Sequence, residues 1–325
     1  MILFLLCRAG NHTIRNSYLY DFPGMRGRVQ VVNYEGMVRQ PDFPRGCYVF
    51  TDVDRAPPDL LRGISAFHDF LGTLGPGVRC INHPTLSMQR YELLRALYER
   101  GINDFDVYRA SEQRRPLRYP VFLRRENDHD GPLSYLLKGP RELENAIRKV
   151  RHFGINLRDV LIVEFCEVRG EDGLVRKYGA FYVDGIVIPR HLVISTDWVA
   201  KFTDFKAIES VISLEAQLDE EARYVEENPH ADQVRKIFEI ARIGYGRIDY
   251  SIKDGAIRAW EINTNPVIAE SRNVDGSPRH RRVLEPGVRR LAEAMLRLDA
   301  GLPPDPWFRI EPTIQQRLAP TQPAT

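Results

Sequence analysis

Between Gly244 and Pro266 (GYGRIDYSIKDGAIRAWEINTNP) the chain sets an Asp, a Glu and an Asn at spacings that two strands of a hairpin can bring together. Carboxylate and amide oxygens are hard donors, the kind that can hold a metal ion. Side chains on a strand alternate faces, so Arg247, Asp249 and Ser251 share one face and Ile248, Tyr250 and Ile252 the other. Beyond Asp254-Gly255, Ile257, Ala259, Glu261 and Asn263 lie together, opposite Arg258, Trp260 and Ile262. Which faces coincide depends on the parity of the loop. A two-residue turn would pair Lys253 with Ala256, set Asp249 across from Trp260 and leave Glu261 among isoleucines. A three-residue loop, Lys253 to Gly255, with Gly255 left-handed and a bulge, gathers Asp249, Glu261 and Asn263 on one polar face, and the pattern predicts this loop. The competing account is a half-exposed hairpin whose polar face is merely solvated.

The elements that must position these donors are drawn from a chain of 325 residues, 43% hydrophobic, long enough for a large core divided among two or three domains. Its 46 basic and 44 acidic residues nearly cancel to +2, so no global field argues for nucleic acid as a partner. Local clusters at Arg114-Arg115, Arg124-Arg125, Arg279 to Arg282 and Arg289-Arg290 could surround an anion if folding gathers them; taken singly, each reads as a solvated face. Met1 to Cys7 (MILFLLC) is too short to span a bilayer and reads as a buried first strand, so no membrane partner is expected. The four cysteines, Cys7, Cys47, Cys80 and Cys166, are scattered without metal or disulfide spacing, which suits a reducing, cytoplasmic setting.

In chain order, ILFLLCR, RVQVVNY, CYVFTDV and Val78 to Ile81 read as short strands, with a helix between the last two carrying Leu60, Leu61, Ile64, Phe67 and Leu71. An N-terminal α/β domain is expected over 1–81, without a Gly-x-Gly-x-x-Gly after its first strand. A second unit, 82–191, opens on a helix capped by Thr85 or Ser87 and stopped at Gly101. It continues through a strand at Tyr119 to Arg124, a helix from Gly139-Pro140 to Gly154, a strand at Val160 to Glu167 and a hairpin turning at Asp184-Gly185. A third unit, 192–300, begins with a loop-like segment holding Trp198 and Lys201. Helices near Leu214 to Glu227 and Ala231 to Ile243 follow, then the metal-capable hairpin and a closing helix from Gly287 to Leu298. Residues 301–325 are Pro-rich and expected to be irregular.

Over about Asn82 to Ala294 these residues resemble the ATP-grasp family, above all its carboxylate–amine ligases such as the D-alanine–D-alanine ligases and the ribosomal-protein glutamate ligases. The most specific piece is Arg247-Ile-Asp249 joined to Glu261-Ile-Asn263-Thr-Asn-Pro266. The resemblance implies an ATP-grasp fold, α/β and α+β, preceded by a small Rossmann-like α/β domain, with ATP and Mg2+ as cofactors. It assigns metal binding to Asp249, Glu261 and Asn263, and makes Arg247 the arginine that faces the oxyanion when an amine attacks an acyl phosphate. Two family lysines that touch ATP phosphates correspond to Arg90 and Arg124, both arginine here. Glu164, Phe165 and Cys166 resemble the hinge that reads adenine, and Glu171 the ribose-binding carboxylate, with Asp172 as the alternative register. Lys177, Arg190 and Lys201 fall where related ligases place cations around phosphate and the acyl substrate. Gly179 stands where some relatives carry arginine. The loop after Arg125 takes the place of a glycine-rich flap but offers only Gly131, with His129 beside it.

The implied activity is ATP-dependent ligation of a small-molecule or peptide carboxylate to an amine through an acyl phosphate, with a homodimer left open. A thiol or phosphoryl acceptor, or a non-catalytic ATP-binding module, would use the same nucleotide site.

Overall fold

A computed structural model of the chain describes residues 1–7, 14–15, 17–112, 114–128, 131–201, 203, 205–268, 278–303 and 307–319. The first layer contains β1 (Ile2–Leu6), the short α1 (Met25–Arg28), β2 (Val29–Asn33), the two-residue β3 (Asp42–Phe43), β4 (Gly46–Phe50), α2 (Pro58–Thr73) and β5 (Val78–Ile81). Strands β2-β1-β4-β5 pair in that order, all parallel. Parallel sheets are covered on both faces, which is why β1 and β4 are buried along their whole length. Helix α2 starts on a proline at its first position and turns Leu60, Ile64, Phe67 and Leu71 inward. Each such side chain contributes about 1.5–3 kcal/mol on burial.

Next come α3 (Arg90–Glu99), β6 (Val107–Arg109), β7 (Val121–Arg125), α4 (Pro140–His152) and β8 (Val160–Glu164). The three strands form an antiparallel sheet, β6-β8-β7, with α4 laid on it through Leu143 and Val150. Helix α3 begins at Arg90, later than the expected cap at Thr85 or Ser87, because those hydroxyls are used elsewhere. Thr85 meets His83 Nδ1 and Ser87 donates to the Arg242 carbonyl. Its stop is as expected, with Gly101 in the left-handed region.

The last layer is built from β9 (Val175–Val183), β10 (Ile186–Ser195), α5 (Phe205–Ile208), α6 (Leu214–Glu227), α7 (Ala231–Ala241), β11 (Tyr245–Lys253), β12 (Ala256–Asn263) and α8 (Pro278–Leu296). Its strands pair antiparallel in the order β10-β9-β11-β12. One face of this sheet, through Tyr182, Ile248 and Ala259, packs on Val234, Ile237 and Phe238 of α7. The other face is divided along its length. At one end Phe181, Val183, Ile188 and Tyr245 join Phe4 of β1 and Val288 and Leu291 of α8 in a single core, and the remainder faces a cleft toward the three-stranded sheet.

Asn82 ties the first layer to this sheet. Its side chain is buried, its backbone is left-handed (φ 64°), and its amide donates to the carbonyls of Phe50 (3.0 Å) and Tyr245 (2.9 Å). Its carbonyl oxygen accepts from the N–H groups of Gly244 (2.8 Å) and Tyr245 (3.0 Å). These four bonds use an asparagine's full hydrogen-bonding capacity.

The expectation of an irregular C-terminal segment is corrected for the part described. β13 (Phe308–Arg309) pairs with β3, and α9 (Pro312–Leu318) packs on α2, sending Ile310, Ile314 and Leu318 into the first domain's core. The approach is close enough that a Cβ on Gly63 would lie 2.2 Å from the Arg317 carbonyl oxygen. Among the described residues, no helix is long and apolar enough to cross a membrane.

Candidate functional site

The hairpin reaches the expected face by a different route. Asp254 (φ 51°) and Gly255 (φ 70°) form a two-residue turn that pairs Lys253 with Ala256, so the three-residue loop is not formed. Parity is corrected higher up. Tyr250 pairs with Ala259 while Asp249 pairs with Glu261, leaving Trp260 as the extra residue of a bulge. Trp260 stacks on Phe105 (centroids 5.1 Å apart) and donates its indole N–H to Ser251 Oγ at 3.2 Å. This packing gives the bulge its physical cause. Asp249 therefore lies opposite Glu261, and Arg247 opposite Asn263, on one polar face.

Cations surround these carboxylates. Arg247 Nε donates to Asp249 Oδ1 at 2.9 Å, and Lys177 Nζ stands 3.5 Å from Oδ2. Glu261 Oε2 receives both Arg90 and Arg124, the latter at 3.1 Å. At the first turn of α3, Arg90 also donates to the carbonyls of Arg125 and Asp128, each at 2.9 Å, and to that of Glu126, binding the loop after β7 to the metal-capable face. Burial and the neighbouring Arg90 pull the Arg124 guanidinium down to about 10, against the opposing charge of Glu261.

Asp249 and Glu261 line a cleft between the three-stranded and four-stranded sheets that is open to solvent, about 910 Å3 with the solvent at its mouth included. Its walls include Phe122, Phe165, Trp198 and Trp260, and Arg124, Lys177, Lys201 and Cys166 also line it. Trp198 sits between Phe122 and Phe165, with centroids 5.0 and 5.9 Å away. Lys201 comes up against the backbone of Gly131, where an added Cβ would meet the lysine Cε at 2.9 Å, so the two rims of the cleft touch. Gly131 itself has φ 112°, a conformation suited to glycine. His129 lies outside the described residues.

Six expected residues are not among those that line the cleft: Arg90, Arg247 and Asn263, which neighbour Glu261 and Asp249, and Glu164, Glu171 and Arg190. The Glu164 carboxylate is turned into the small sheet, accepting from Tyr108 Oη (2.9 Å), the Asp106 N–H (3.1 Å) and the Arg118 guanidinium (2.9 and 3.1 Å). Glu171 is exposed in the turn before β9, and the alternative Asp172 is committed to an ion pair with Arg176 at 2.8 Å. Arg190 is buried, its Nε donating to the Ile268 carbonyl. Cys166 donates to Asp104, and burial pushes its thiol up to about 12. Sequence reasoning named Phe165 but missed the other aromatic walls, Phe122, Trp198 and Trp260. Trp198 was visible as a tryptophan in a polar segment, but the burial of Trp260 in the cleft depends on the bulge and had no local signal.

No family model and no curated protein matches the sequence. Solved structures do. A D-alanine–D-alanine ligase from Bacillus anthracis superposes with a TM-score of 0.53 at 15% identity, covering 92% of this chain and 96% of that one. The same ligase complexed with ATP gives 0.50 at 11% identity over 90% and 98%, and the D-alanine–D-alanine ligase from Coxiella burnetii 0.50 at 13% over 92% and 95%. The chain has the ATP-grasp fold. The cleft lies between the two antiparallel sheets of this fold, and Asp249 and Glu261 of the hairpin line it. Those donors fit a hard divalent cation. Asp249 and Glu261 offer carboxylate oxygens from adjacent strands of one face, with their charge balanced by Arg90, Arg124, Arg247 and Lys177, and Asn263 adds an amide oxygen that accepts from the Asn265 N–H at 2.8 Å.

Proposed function

We propose that the chain is an ATP-dependent carboxylate–amine ligase that activates an acid as its acyl phosphate and passes the acyl group to an amine, releasing ADP and phosphate. The observation that carries this reading is the pairing of Asp249 with Glu261 in an aromatic-walled cleft lined with cations. Phe122, Phe165 and Trp198 would hold a nucleobase by stacking, while Arg124, Lys177 and Lys201 would meet the phosphates. Arg90 positions the loop after β7 and would turn from Glu261 to phosphate. Asp249, Glu261 and Asn263 would hold Mg2+, which supplies charge neutralisation on the phosphates. Arg247 lies on the same face and would stabilise the oxyanion as the amine attacks. Contact of Lys201 with Gly131 closes the rim and would keep water from the acyl phosphate. The expected substrates are small-molecule or peptide acids and amines.

The test is Mg2+-dependent ADP release from pools of carboxylates and amines, with mass spectrometry of the product. Asp249→Asn should lower the rate at least ~100-fold with an unchanged circular dichroism spectrum. Turnover by this variant at the native rate, or ADP release without an amide product, would refute the assignment.

A further inference from the structure

The cross-strand register places one residue in line with the metal-capable pair that the proposed reaction has not used. Glu261 pairs with Asp249, Asp249 with Gly179, and Gly179 with His191, a single row across four strands. His191 reaches this face because β10 carries a bulge between Pro189 and His191; without it, alternation from Ile188 would turn the ring to the other side. With strands about 4.8 Å apart, the His191 Cα lies two strands, about 10 Å, from that of Asp249. Gly179, between them, has no side chain. The imidazole leans into that gap, its Cε1 and Nε2 each 2.6 Å from where a Cβ on Gly179 would be. Among the described residues, no hydrogen bond engages either ring nitrogen.

Acyl transfer to an amine needs a proton acceptor, because the attacking nitrogen must shed a proton as it becomes an amide. The other ionisable side chains on this part of the face are unsuited. Arg247 and Lys177 are cations paired with Asp249, and Asp249 and Glu261 face the metal position. The groups facing His191 are Lys177 on β9, Arg190 on β10, Arg247 on β11 and His280 on α8. Burial first, and then these charges, hold its imidazole well below the ordinary value, leaving it neutral near pH 7. Of the nearby carboxylates, Asp249 is occupied by Arg247 and Lys177, and Glu221 by His280 and the Leu192 N–H.

Resting on the ligase reading, the geometry points to His191 as the proton acceptor for the attacking amine, with Gly179 as the space that lets it reach the reacting centre. The amine nitrogen forms a bond to the acyl carbon as the carbon–oxygen bond to phosphate breaks. Inorganic phosphate leaves with that electron pair, and the proton shed by nitrogen passes to His191 Nε2 and then to solvent.

Hydroxylamine separates the two claims, since it is largely uncharged at neutral pH and captures acyl phosphates without help. The full chain is incubated with Mg2+-ATP and an equimolar pool of L- and D-amino acids, with and without hydroxylamine, and hydroxamate and dipeptide are quantified. His191→Gln should keep hydroxamate formation within about twofold and lose dipeptide formation by ~100-fold or more. Gly179→Ala, which displaces the ring without removing it, should give the same split. Equal dipeptide synthesis by His191→Gln and the native chain, or a parallel loss of both products, overturns the role of His191 while leaving carboxylate activation standing. Absence of hydroxamate from the native chain overturns the ligase reading and this inference with it.

Discussion

Replacing Glu261 by glutamine tests the metal-capable face and its cations at once. Glu261 Oε2 receives Arg90 and Arg124, and the three side chains are 14%, 5% and 14% exposed. Glutamine keeps the shape and removes the charge, leaving two guanidiniums facing each other. Removing one partner of a buried ion pair costs about 3–5 kcal/mol. The glutamine carbonyl still accepts one bond and Arg90 keeps its three carbonyl partners, so the net loss works out at about 2–3 kcal/mol. Over 325 residues the unfolding entropy is about 0.7 kcal/mol/K, which turns that loss into a fall in Tm of about 3–4 °C. Ligand dependence should then cross over. With EDTA present, ATP should stabilise Glu261→Gln more than the native chain, because its phosphates no longer compete with a carboxylate for Arg90 and Arg124. With Mg2+ present the order should reverse, since the variant has lost an ionic oxygen donor. Differential scanning fluorimetry in the four conditions reads both effects. A variant with native Tm and native responses to ATP in EDTA and in Mg2+ would refute the reasoning.

Asn82→Ala leaves the Gly244 and Tyr245 N–H groups and the Phe50 and Tyr245 carbonyls without their partner, and should cost about 2–4 kcal/mol in urea unfolding; a midpoint within error of native would contradict the role given to it. Trp198→Ala removes the ring between Phe122 and Phe165 and should weaken ATP binding about 10-fold by calorimetry, with the fold retained. Asp104 carries a pH prediction. Burial would raise its carboxyl, but hydrogen bonds from Lys253 and Cys166 and the charge of Arg258 hold it at about 2, below the ordinary 3.8. Its contribution is therefore complete above about pH 4 and lost as pH falls through about 2, amounting to about 1 kcal/mol once solvent screening of this partly exposed side chain is discounted. Asp104→Asn should be less stable than native at pH 7 and nearly equal to it at pH 2, measured by urea midpoints.

What the sequence made legible was local. Alternation put Asp249 beside Arg247 and Glu261 beside Asn263, and helical spacing located α2, α4, α6 and α7 within a residue or two. What it hid was non-local. The Trp260 bulge depends on Phe105, some 150 positions earlier, and on Ser251 across the hairpin; without the bulge in view, strand parity predicted the wrong loop for the right face. Glu164 reads as a strand-end carboxylate, and only the arrival of Tyr108 and Arg118 from neighbouring segments turns it inward. The docked C-terminal segment had a signal in Ile310, Ile314 and Leu318, spaced four apart, which proline content obscured. His191 could not have been found from sequence, because its face is set by an extra residue in β10 and its reach by the absence of a side chain at Gly179.

The four bonds of Asn82 and the core uniting Phe4 with Phe181 and Val288 have a mechanical consequence. The parallel sheet and the hairpin sheet share hydrophobic contents, so they form the anvil, and the hammer is the three-stranded sheet with α4, which has a core of its own. Val107, Leu161 and Val163 of that smaller piece also pack with Leu94 of α3 and Trp260 of the hairpin, so opening of the cleft should pivot about this contact. By the same logic residues 1–81 are not an interchangeable module: a chimaera that replaced them would have to supply matching partners for Phe181, Val288 and Leu291 and an acceptor for the Asn82 amide in place of the Phe50 carbonyl.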